Sequence, residues 1–235
     1  MSRLVTSEGL VLRSRHFSES SKIVTALTRS SGRVDLLARG ARKPGSRFGA
    51  ALEMGTEASF IFYERENKTL WTLSSADIIN PNIELRETVE KLGLLARILK
   101  VIHHISHPGE VNPGIYNLTV ALLNAMSRNP DEGLYELFLW RVTSISGYPP
   151  HIAPGCVVCG KKTQTHFSIP QGGLVCESHS SSENSVRLEP GEIKILKDLS
   201  EVSPSEVDFK LTPILRELVR SFARYHLHTD QRVIP

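Results

Sequence analysis

The sequence predicts an α+β, multidomain protein, in which an N-terminal five-stranded OB-fold barrel is followed by an all-helical domain with an inserted zinc ribbon. Three observations lead to this prediction. Short segments rich in β-branched and aromatic residues fill the first 80 residues, apolar residues then recur at helical spacing, and all three cysteines fall in one interruption of the helices. We expect the barrel at residues 1–80, the helical domain at 81–148 and 188–235, and the ribbon at 149–187.

Five segments of the N-terminal part are typical of strands. They cover residues 9–15, 22–28, 33–38, 58–63 and 70–73, and turn residues separate them. A long connection between the third and fourth segments suits an OB-fold, whose sheet face and loops bind oligonucleotides. Alternation places Phe60 and Phe62 on one face of the fourth segment, which we expect to be the core.

The apolar spacing changes to three and four residues after Asn80 and Pro81, which indicates helices. The pattern predicts helices at about 83–102, 113–128, 131–145, 190–199 and 212–228. In the last of these, Thr212 is expected to be the N-cap and Pro213 the first helical residue.

A loop rich in glycine and proline, residues 39–48, follows the third strand and is called the basic loop below. Glycine lets the backbone approach a ligand closely, and the interleaved cations can neutralise phosphates. Residues 1–50 carry ten Lys/Arg and three Asp/Glu, whereas the other 185 residues carry 18 and 22. This segregation of charge favours a polyanion-binding module over a loop whose charges serve only solubility.

The predicted nucleic-acid contacts combine cations for phosphates with an aromatic ring for a base. The predicted nucleic-acid-binding residues are Arg39, Arg42, Lys43, Arg47 and Phe48 on the basic loop, followed by Arg13, Arg15, Lys22 and Arg33 on the strands. The other aromatic side chains of the barrel, Phe17, Tyr63 and Trp71, are further candidates for stacking.

The three cysteines and one histidine form a C-x-x-C and a C-x-x-H pair, namely Cys156, Cys159, Cys176 and His179. Two-residue gaps of this kind are typical of zinc knuckles, and an odd number of cysteines argues against a disulfide framework. We therefore expect one structural Zn²⁺ per chain. Two alternatives stay open: His166 in place of His179 as the fourth ligand, and a ribbon that folds without metal.

No catalytic motif is recognisable. His107 and Glu110, with the later cysteines, resemble the H-x-E and P-C-x-x-C signature of zinc deaminases, but two residues rather than one separate them. Four protein ligands would also leave no position for a reacting water. No run of 18 apolar residues occurs, and Ser and Glu appear early in the chain, so we expect a soluble, cytoplasmic protein without a membrane partner.

Several N-terminal motifs together resemble the signature of the bacterial RecO family. They are residues 9–12, Glu19, residues 23–28 with Gly32, and residues 38–42 with 46–48. The helical body, interrupted by a cysteine ribbon and closed by a C-terminal helix, is similar to the layout of the family. Family members with a ribbon usually have cysteine where this chain has His179.

The resemblance implies a recombination mediator and not an enzyme. Such proteins bind single- and double-stranded DNA, anneal complementary strands, associate with RecR, and help to load RecA onto strands coated by single-stranded DNA-binding protein. The expected location is the nucleoid in the cytoplasm. Two other classes remain open from the residues alone: an RNA-binding OB-fold protein and a zinc-dependent nucleic-acid enzyme.

Overall fold

A computed structural model describes residues 2–66, 68–128, 133–162, 165–181, 183–207 and 210–235. The chain divides into two compact units, Met1–Arg128 and Asn129–Pro235. The domain boundary predicted at residue 80 lies inside the first unit, and the three-part division stays a prediction. Within the described residues no helix is both long and apolar enough to cross a lipid bilayer.

Five strands form a closed barrel in the first unit. They are β1 (Ser2–His16), β2 (Lys22–Thr28), β3 (Gly32–Ala38), β4 (Glu57–Arg65) and β5 (Leu70–Asn80). The order around the barrel is β1-β2-β3-β5-β4, with β3 and β5 parallel and the other pairs antiparallel. Five strands in this arrangement, with a long β3–β4 connection, confirm the predicted OB-fold.

The first strand is longer than predicted and pairs with two neighbouring strands. Its first part pairs with β4, from Ser2 opposite Arg65, and its last part pairs with β2, ending with His16 opposite Lys22. The prediction began at residue 9 because the preceding residues are largely polar and exposed, and they therefore lack the apolar alternation that marks a strand.

The barrel core contains aromatic rings from β4 and β5. Phe60 and Phe62 are completely buried, as the alternation of β4 predicted. Trp71 on β5 stacks on Phe62, with ring centroids 5.5 Å apart and planes at 15°. The Trp71 ring is therefore held in place by the core on which it packs.

Two helices belong to the same unit as the barrel: α1 (Val89–Ile105) and α2 (Pro113–Arg128). A Cβ atom on Gly32, whose φ is +65°, would lie 2.2 Å from the carbonyl oxygen of Glu110 in the α1–α2 connection. On α2, the Tyr116 hydroxyl donates to the Glu57 carboxylate of β4 at 2.8 Å. These contacts hold the helical pair against the barrel.

The helix predicted from residue 83 is shorter at its start. Residues Ile83–Arg86 form a 3-10 turn, and α1 begins only at Val89. The reason is local, because the Thr88 side chain caps α1 by accepting a hydrogen bond from the backbone N–H of Lys91 at 3.3 Å.

The second unit combines three helices with a small sheet. The helices are α3 (Gly133–Ile145), α4 (Pro190–Glu201) and α5 (Pro213–His226), and the sheet has the order β7-β6-β8, with β6 (His166–Ser168), β7 (Gly173–Val175) and β8 (Ser185–Arg187). The predicted start of α3 at residue 131 lies outside the described residues. At α5, Thr212 accepts from the backbone N–H of Leu215, which confirms the predicted N-cap.

Aromatic packing and one buried ion pair join the elements of this unit. The rings of Trp140 on α3, Phe167 on β6 and Phe222 on α5 lie 5.2–5.8 Å apart by centroid. The Glu136 side chain on α3 is completely buried and accepts two hydrogen bonds from Arg220 on α5, at 2.9 Å from Nε and 2.7 Å from the terminal nitrogen.

Candidate nucleic-acid interface and metal centre

The basic loop lies against the β1–β2 turn, residues 17–21. Strand pairing sets this up, because Ala38 at the end of β3 is opposite Lys22 at the start of β2. The backbone N–H of Arg42 donates to the carbonyl of Ser20 at 3.0 Å, and its guanidinium donates to the carbonyl of Ser18 at 2.8 Å. The basic loop and the turn therefore form one continuous surface.

Two tight turns shape the basic loop. Gly40 and Gly45 have φ values of +74° and +70°, which favour glycine. The backbone N–H of Lys43 donates to Gly40, and that of Ser46 donates to Lys43, both at 3.1 Å. The side chains of the four predicted loop cations are exposed, and no carboxylate among the described residues pairs with them: they are Arg39, Arg42, Lys43 and Arg47. They are available to an external anion.

The structure corrects the role predicted for Phe48. Its ring is only 3% exposed and packs in the barrel core, so a base has no access to it and the prediction that Phe48 stacks on a base is wrong. The sequence did contain a signal, because Phe48 precedes the Gly49–Leu52 turn, of which Ala51 and Leu52 also enter the core. The exposed aromatic ring beside the basic loop is instead Phe17 on the β1–β2 turn, at 56% exposure.

The four cations predicted on the strands divide into two pairs. Arg13 and Arg15 are exposed on one face of β1. Lys22 and Arg33 have partners within the protein, because Lys22 Nζ lies 3.0 Å from Glu53 Oε1 and Arg33 donates to a backbone carbonyl of α1 at 2.5 Å. Arg13 and Arg15 are consequently the stronger candidates for DNA contact.

The carbonyl that Arg33 contacts belongs to His103 near the end of α1. Burial lowers the pKa of the His103 imidazole below its usual 6.5, and the positive charges of Arg33 and Arg13 lower it further. His103 is therefore neutral near pH 7, and the positive charge of this region comes from the arginines.

The second unit brings the four predicted metal ligands together. The ligand atoms of Cys156, Cys159, Cys176 and His179 all lie within 4.8 Å of one another. The distance is 3.8 Å between the sulfurs of Cys159 and Cys176, and 3.7 Å from Cys156 Sγ to His179 Nδ1. Tetrahedral zinc with its usual bond lengths requires about 3.8 Å between two sulfurs and about 3.6 Å between sulfur and nitrogen. The cluster can therefore hold one metal ion.

Backbone hydrogen bonds shape the first of the two knuckles. Gly160, with a φ of +74°, donates its N–H to the carbonyl of Cys156 at 2.8 Å, and Cys156 donates to Lys161 at 2.8 Å. The N–H of Val157 donates to Leu174 of β7 at 2.9 Å, which joins the knuckle to the small sheet. The turn therefore places the first cysteine pair beside the second ligand pair.

The local environment favours a thiolate at Cys156. Burial opposes ionisation of Cys156, but hydrogen bonds from the backbone around Cys176, Cys159 and Val158 outweigh it and lower the pKa of the Cys156 thiol to about 6. Metal ions bind the thiolate, so this shift favours metal binding at neutral pH. At Cys159 the hydrogen bond from the backbone of Lys161 favours the thiolate, but burial and the contacts with Cys156 and Cys176 outweigh it, so the pKa of the Cys159 thiol is raised instead.

The alternative ligand His166 is not among the clustered residues. Its Nδ1 lies 2.8 Å from the hydroxyl of Thr165.

Comparison with known proteins agrees with this architecture. The family model "Recombination protein O N terminal" matches residues 1–82, and "Recombination protein O C terminal" matches residues 86–232. The chain is 32% identical to DNA repair protein RecO of Exiguobacterium sibiricum, over 92% of this chain and 89% of the relative. It is 25% identical to DNA repair protein RecO of Alkaliphilus metalliredigens (95% and 94% covered) and 27% identical to that of Bifidobacterium longum (97% and 96%).

The barrel of the first unit thus makes this chain an OB-fold protein, and the two family models together match residues of both units. The chain belongs to the RecO family of DNA repair proteins.

Proposed function

We propose that this protein is a mediator of homologous recombination in DNA repair that works by binding and not by covalent catalysis. It binds single- and double-stranded DNA, anneals complementary strands and, together with RecR, helps to load RecA onto strands coated by single-stranded DNA-binding protein. Membership of the RecO family supports this proposal. The observation that carries the DNA-binding part is the exposed basic loop, whose four cations have no carboxylate partner among the described residues.

In this proposal the basic loop contacts phosphates without reading base sequence. Arg39, Arg42, Lys43 and Arg47 supply the charge, and Arg13 and Arg15 on β1 extend it. Contacts to phosphate release condensed counterions, so affinity falls as the salt concentration rises. The exposed ring of Phe17 next to the basic loop is the candidate for stacking on a base.

Annealing follows from the same charge. Two complementary strands repel each other through their phosphates, and a protein that neutralises part of both backbones lowers this repulsion. The net charge of the chain, +3, is small, so the local density of cations on the basic loop matters more than the total. RecR and single-stranded DNA-binding protein are the proposed partners, and the nucleoid is the proposed place of action.

The metal in this proposal is zinc, held by Cys156, Cys159, Cys176 and His179 in a structural role. Three thiolates and one imidazole are a soft tetrahedral donor set that suits Zn²⁺. A full set of four protein ligands leaves no position for substrate or water. The ion stabilises the ribbon, whose three strands are only three residues long.

A strand-annealing assay tests the proposed function. Complementary oligonucleotides are coated with the cognate single-stranded DNA-binding protein, and duplex formation is followed by energy transfer between terminal dyes. We expect the protein to accelerate annealing and the quadruple alanine variant of Arg39, Arg42, Lys43 and Arg47 to lose most of this activity. The matched control removes the same charge from the second unit, at the exposed residues Lys162, Arg187, Lys194 and Lys197.

The control variant should anneal like the unaltered protein. Failure of the unaltered protein to anneal coated strands would contradict the mediator proposal. A strong preference for RNA oligonucleotides would instead favour an RNA-binding OB-fold protein.

A further inference from the structure

The three cysteines of the metal cluster differ in their access to solvent. Cys156 and Cys176 are buried, at 3% and 4% exposure, whereas Cys159 is exposed at the surface. Zinc binds cysteine as the thiolate, which is also the form that reacts with oxidants. An oxidant dissolved in water therefore meets a reactive sulfur first at Cys159.

A second sulfur lies beside the exposed one. Cys159 Sγ is 3.8 Å from Cys176 Sγ, and Cys176 Sγ is in turn 3.2 Å from Nδ1 of His179. A disulfide bond is about 2.05 Å long, so the two sulfurs need to approach each other by about 1.8 Å to form one. An accessible thiolate next to a second thiol that can react with its oxidised form is typical of redox-sensitive cysteine pairs.

The number of ligands makes this oxidation decisive for the metal. The sequence contains three cysteines, so one disulfide leaves a single thiol with no partner for a second disulfide. A bond between Cys159 and Cys176 leaves Cys156 and His179 as the remaining donors of the cluster. Structural zinc sites use four protein ligands, so two are too few to hold the ion. Formation of the disulfide should therefore release the metal.

The rest of the second unit does not depend on these ligands alone. Phe167 on β6 is completely buried, and its ring packs on Trp140 of α3 and Phe222 of α5. The small sheet therefore stays attached to the helices when the ion leaves. A disulfide between Cys159 and Cys176 would also keep the two knuckles close together, so the loss of metal should be reversible.

We propose that Cys159 and Cys176 are a peroxide-sensitive pair that releases the zinc ion when it is oxidised to a disulfide. First, the Cys159 thiolate attacks one oxygen of hydrogen peroxide, the O–O bond breaks, and a sulfenic acid and a hydroxide ion form. The Cys176 thiolate then attacks the sulfenic sulfur, which forms the S–S bond and releases a second hydroxide ion. Two electrons pass from the two sulfurs to the peroxide. This inference rests on the proposed zinc site.

The test follows zinc and thiols in the full chain. Zinc content is measured first, and hydrogen peroxide is then added together with a chromogenic chelator that is too weak to remove the ion by itself. We expect release of about one equivalent of zinc per chain. Free thiols should fall from the three of the sequence to a single one, and tandem mass spectrometry should find Cys159 linked to Cys176. Dithiothreitol with added zinc should restore both the thiols and the metal by thiol–disulfide exchange.

Two variants separate access to the sulfur from loss of a ligand. Cys159→His and Cys156→His each replace one thiolate by an imidazole, which also binds zinc, so both retain four ligands. Cys159→His removes the exposed sulfur and should release zinc about tenfold more slowly in peroxide. Cys156→His is the matched control, because it retains the proposed pair and should release zinc at nearly the unaltered rate.

The outcomes separate this inference from the zinc site on which it rests. If the unaltered protein holds zinc and keeps it at a peroxide concentration that oxidises free cysteine, the peroxide-sensitive pair is overturned and the zinc site stands. A disulfide that includes Cys156, or zinc release from Cys159→His as fast as from the unaltered protein, would overturn the assignment to Cys159 and Cys176. If no zinc is present before peroxide is added, the proposed metal and this inference both fail.

Discussion

The two units of the chain are stabilised in different ways. In the first unit, five strands of 7–15 residues close into a barrel around an apolar core that includes Phe48, Phe60 and Phe62. In the second unit, the sheet has three strands of three residues, next to a cluster of metal ligands and a buried ion pair.

The difference indicates where single substitutions act strongly. A closed barrel has no free edge and distributes its stability over many apolar contacts. A small sheet cannot bury enough apolar surface to be stable by itself. We therefore expect the stability of the second unit to depend on a few polar groups. The first unit should stay folded when the surface cations that are proposed to bind DNA are removed.

The largest effect is expected on removal of the metal. Cys176→Ser should lower zinc content from about one equivalent per chain to nearly none and unfold the ribbon, because its ligands are ordered only when they bind the ion. The barrel should keep its structure. Zinc analysis and limited proteolysis of the ribbon measure both effects.

His166→Gln is the matched control for the metal, since His166 lies in the ribbon but outside the cluster. It should retain zinc. Less than about half an equivalent of zinc in the unaltered protein, purified without chelator, would contradict the four-ligand site.

The next effect concerns the buried ion pair of the second unit. Arg220→Ala leaves the completely buried Glu136 carboxylate without its partner, which should destabilise this unit by about 3–5 kcal/mol. Denaturant unfolding measures the loss. Lys197→Ala is the control, because Lys197 and Glu201 form an exposed pair 3.9 Å apart and its loss should cost less than about 0.5 kcal/mol. If both variants lowered the free energy of unfolding equally, the buried pair of Glu136 and Arg220 would not be important for stability.

A smaller effect is expected at the contact between α2 and the barrel. Burial, and the hydrogen bond to Glu57, raise the pKa of Tyr116, so its hydroxyl remains a donor at all ordinary pH values. Tyr116→Phe removes this donor from a buried carboxylate and should destabilise the first unit by about 1–3 kcal/mol.

Tyr63→Phe serves as the control for this contact, because Tyr63 is 42% exposed on β4 of the same unit. It should change stability by less than about 0.5 kcal/mol. An unchanged free energy of unfolding in Tyr116→Phe would show that α2 is held by apolar packing alone.

The sequence predicted features that depend on local spacing. Composition rich in β-branched residues located β2, alternation located the core position of Phe60, and the two-residue gaps located the metal cluster, because all three signals lie within a few residues. It could not predict how far β1 extends, since its polar first half is a strand only through pairing with β4. The helical spacing of apolar residues also did not reveal the cap at Thr88, which makes α1 begin later than predicted.

The remaining features of the candidate site depend on contacts between segments that are distant in sequence. Phe48 is followed by the apolar residues Ala51 and Leu52 whereas Phe17 is followed by polar residues, but it is the path of the chain after β3 that buries Phe48 and leaves Phe17 exposed. The parallel pairing of β3 with β5, and the hydrogen bond from Arg33 to His103 of α1, 70 residues further along the chain, likewise join segments that are distant in sequence. No local pattern contains that information.

The most direct measurement of the central claim is the salt dependence of single-strand binding. Each phosphate contact adds about 0.7 to the slope of log affinity against log salt, so alanine at Arg39, Arg42, Lys43 and Arg47 should reduce the slope by about 2 to 3. The control variant at Lys162, Arg187, Lys194 and Lys197 should keep the unaltered slope. If the two variants show the same slope as the unaltered protein, the basic loop does not contact phosphate and the account of the first unit is wrong.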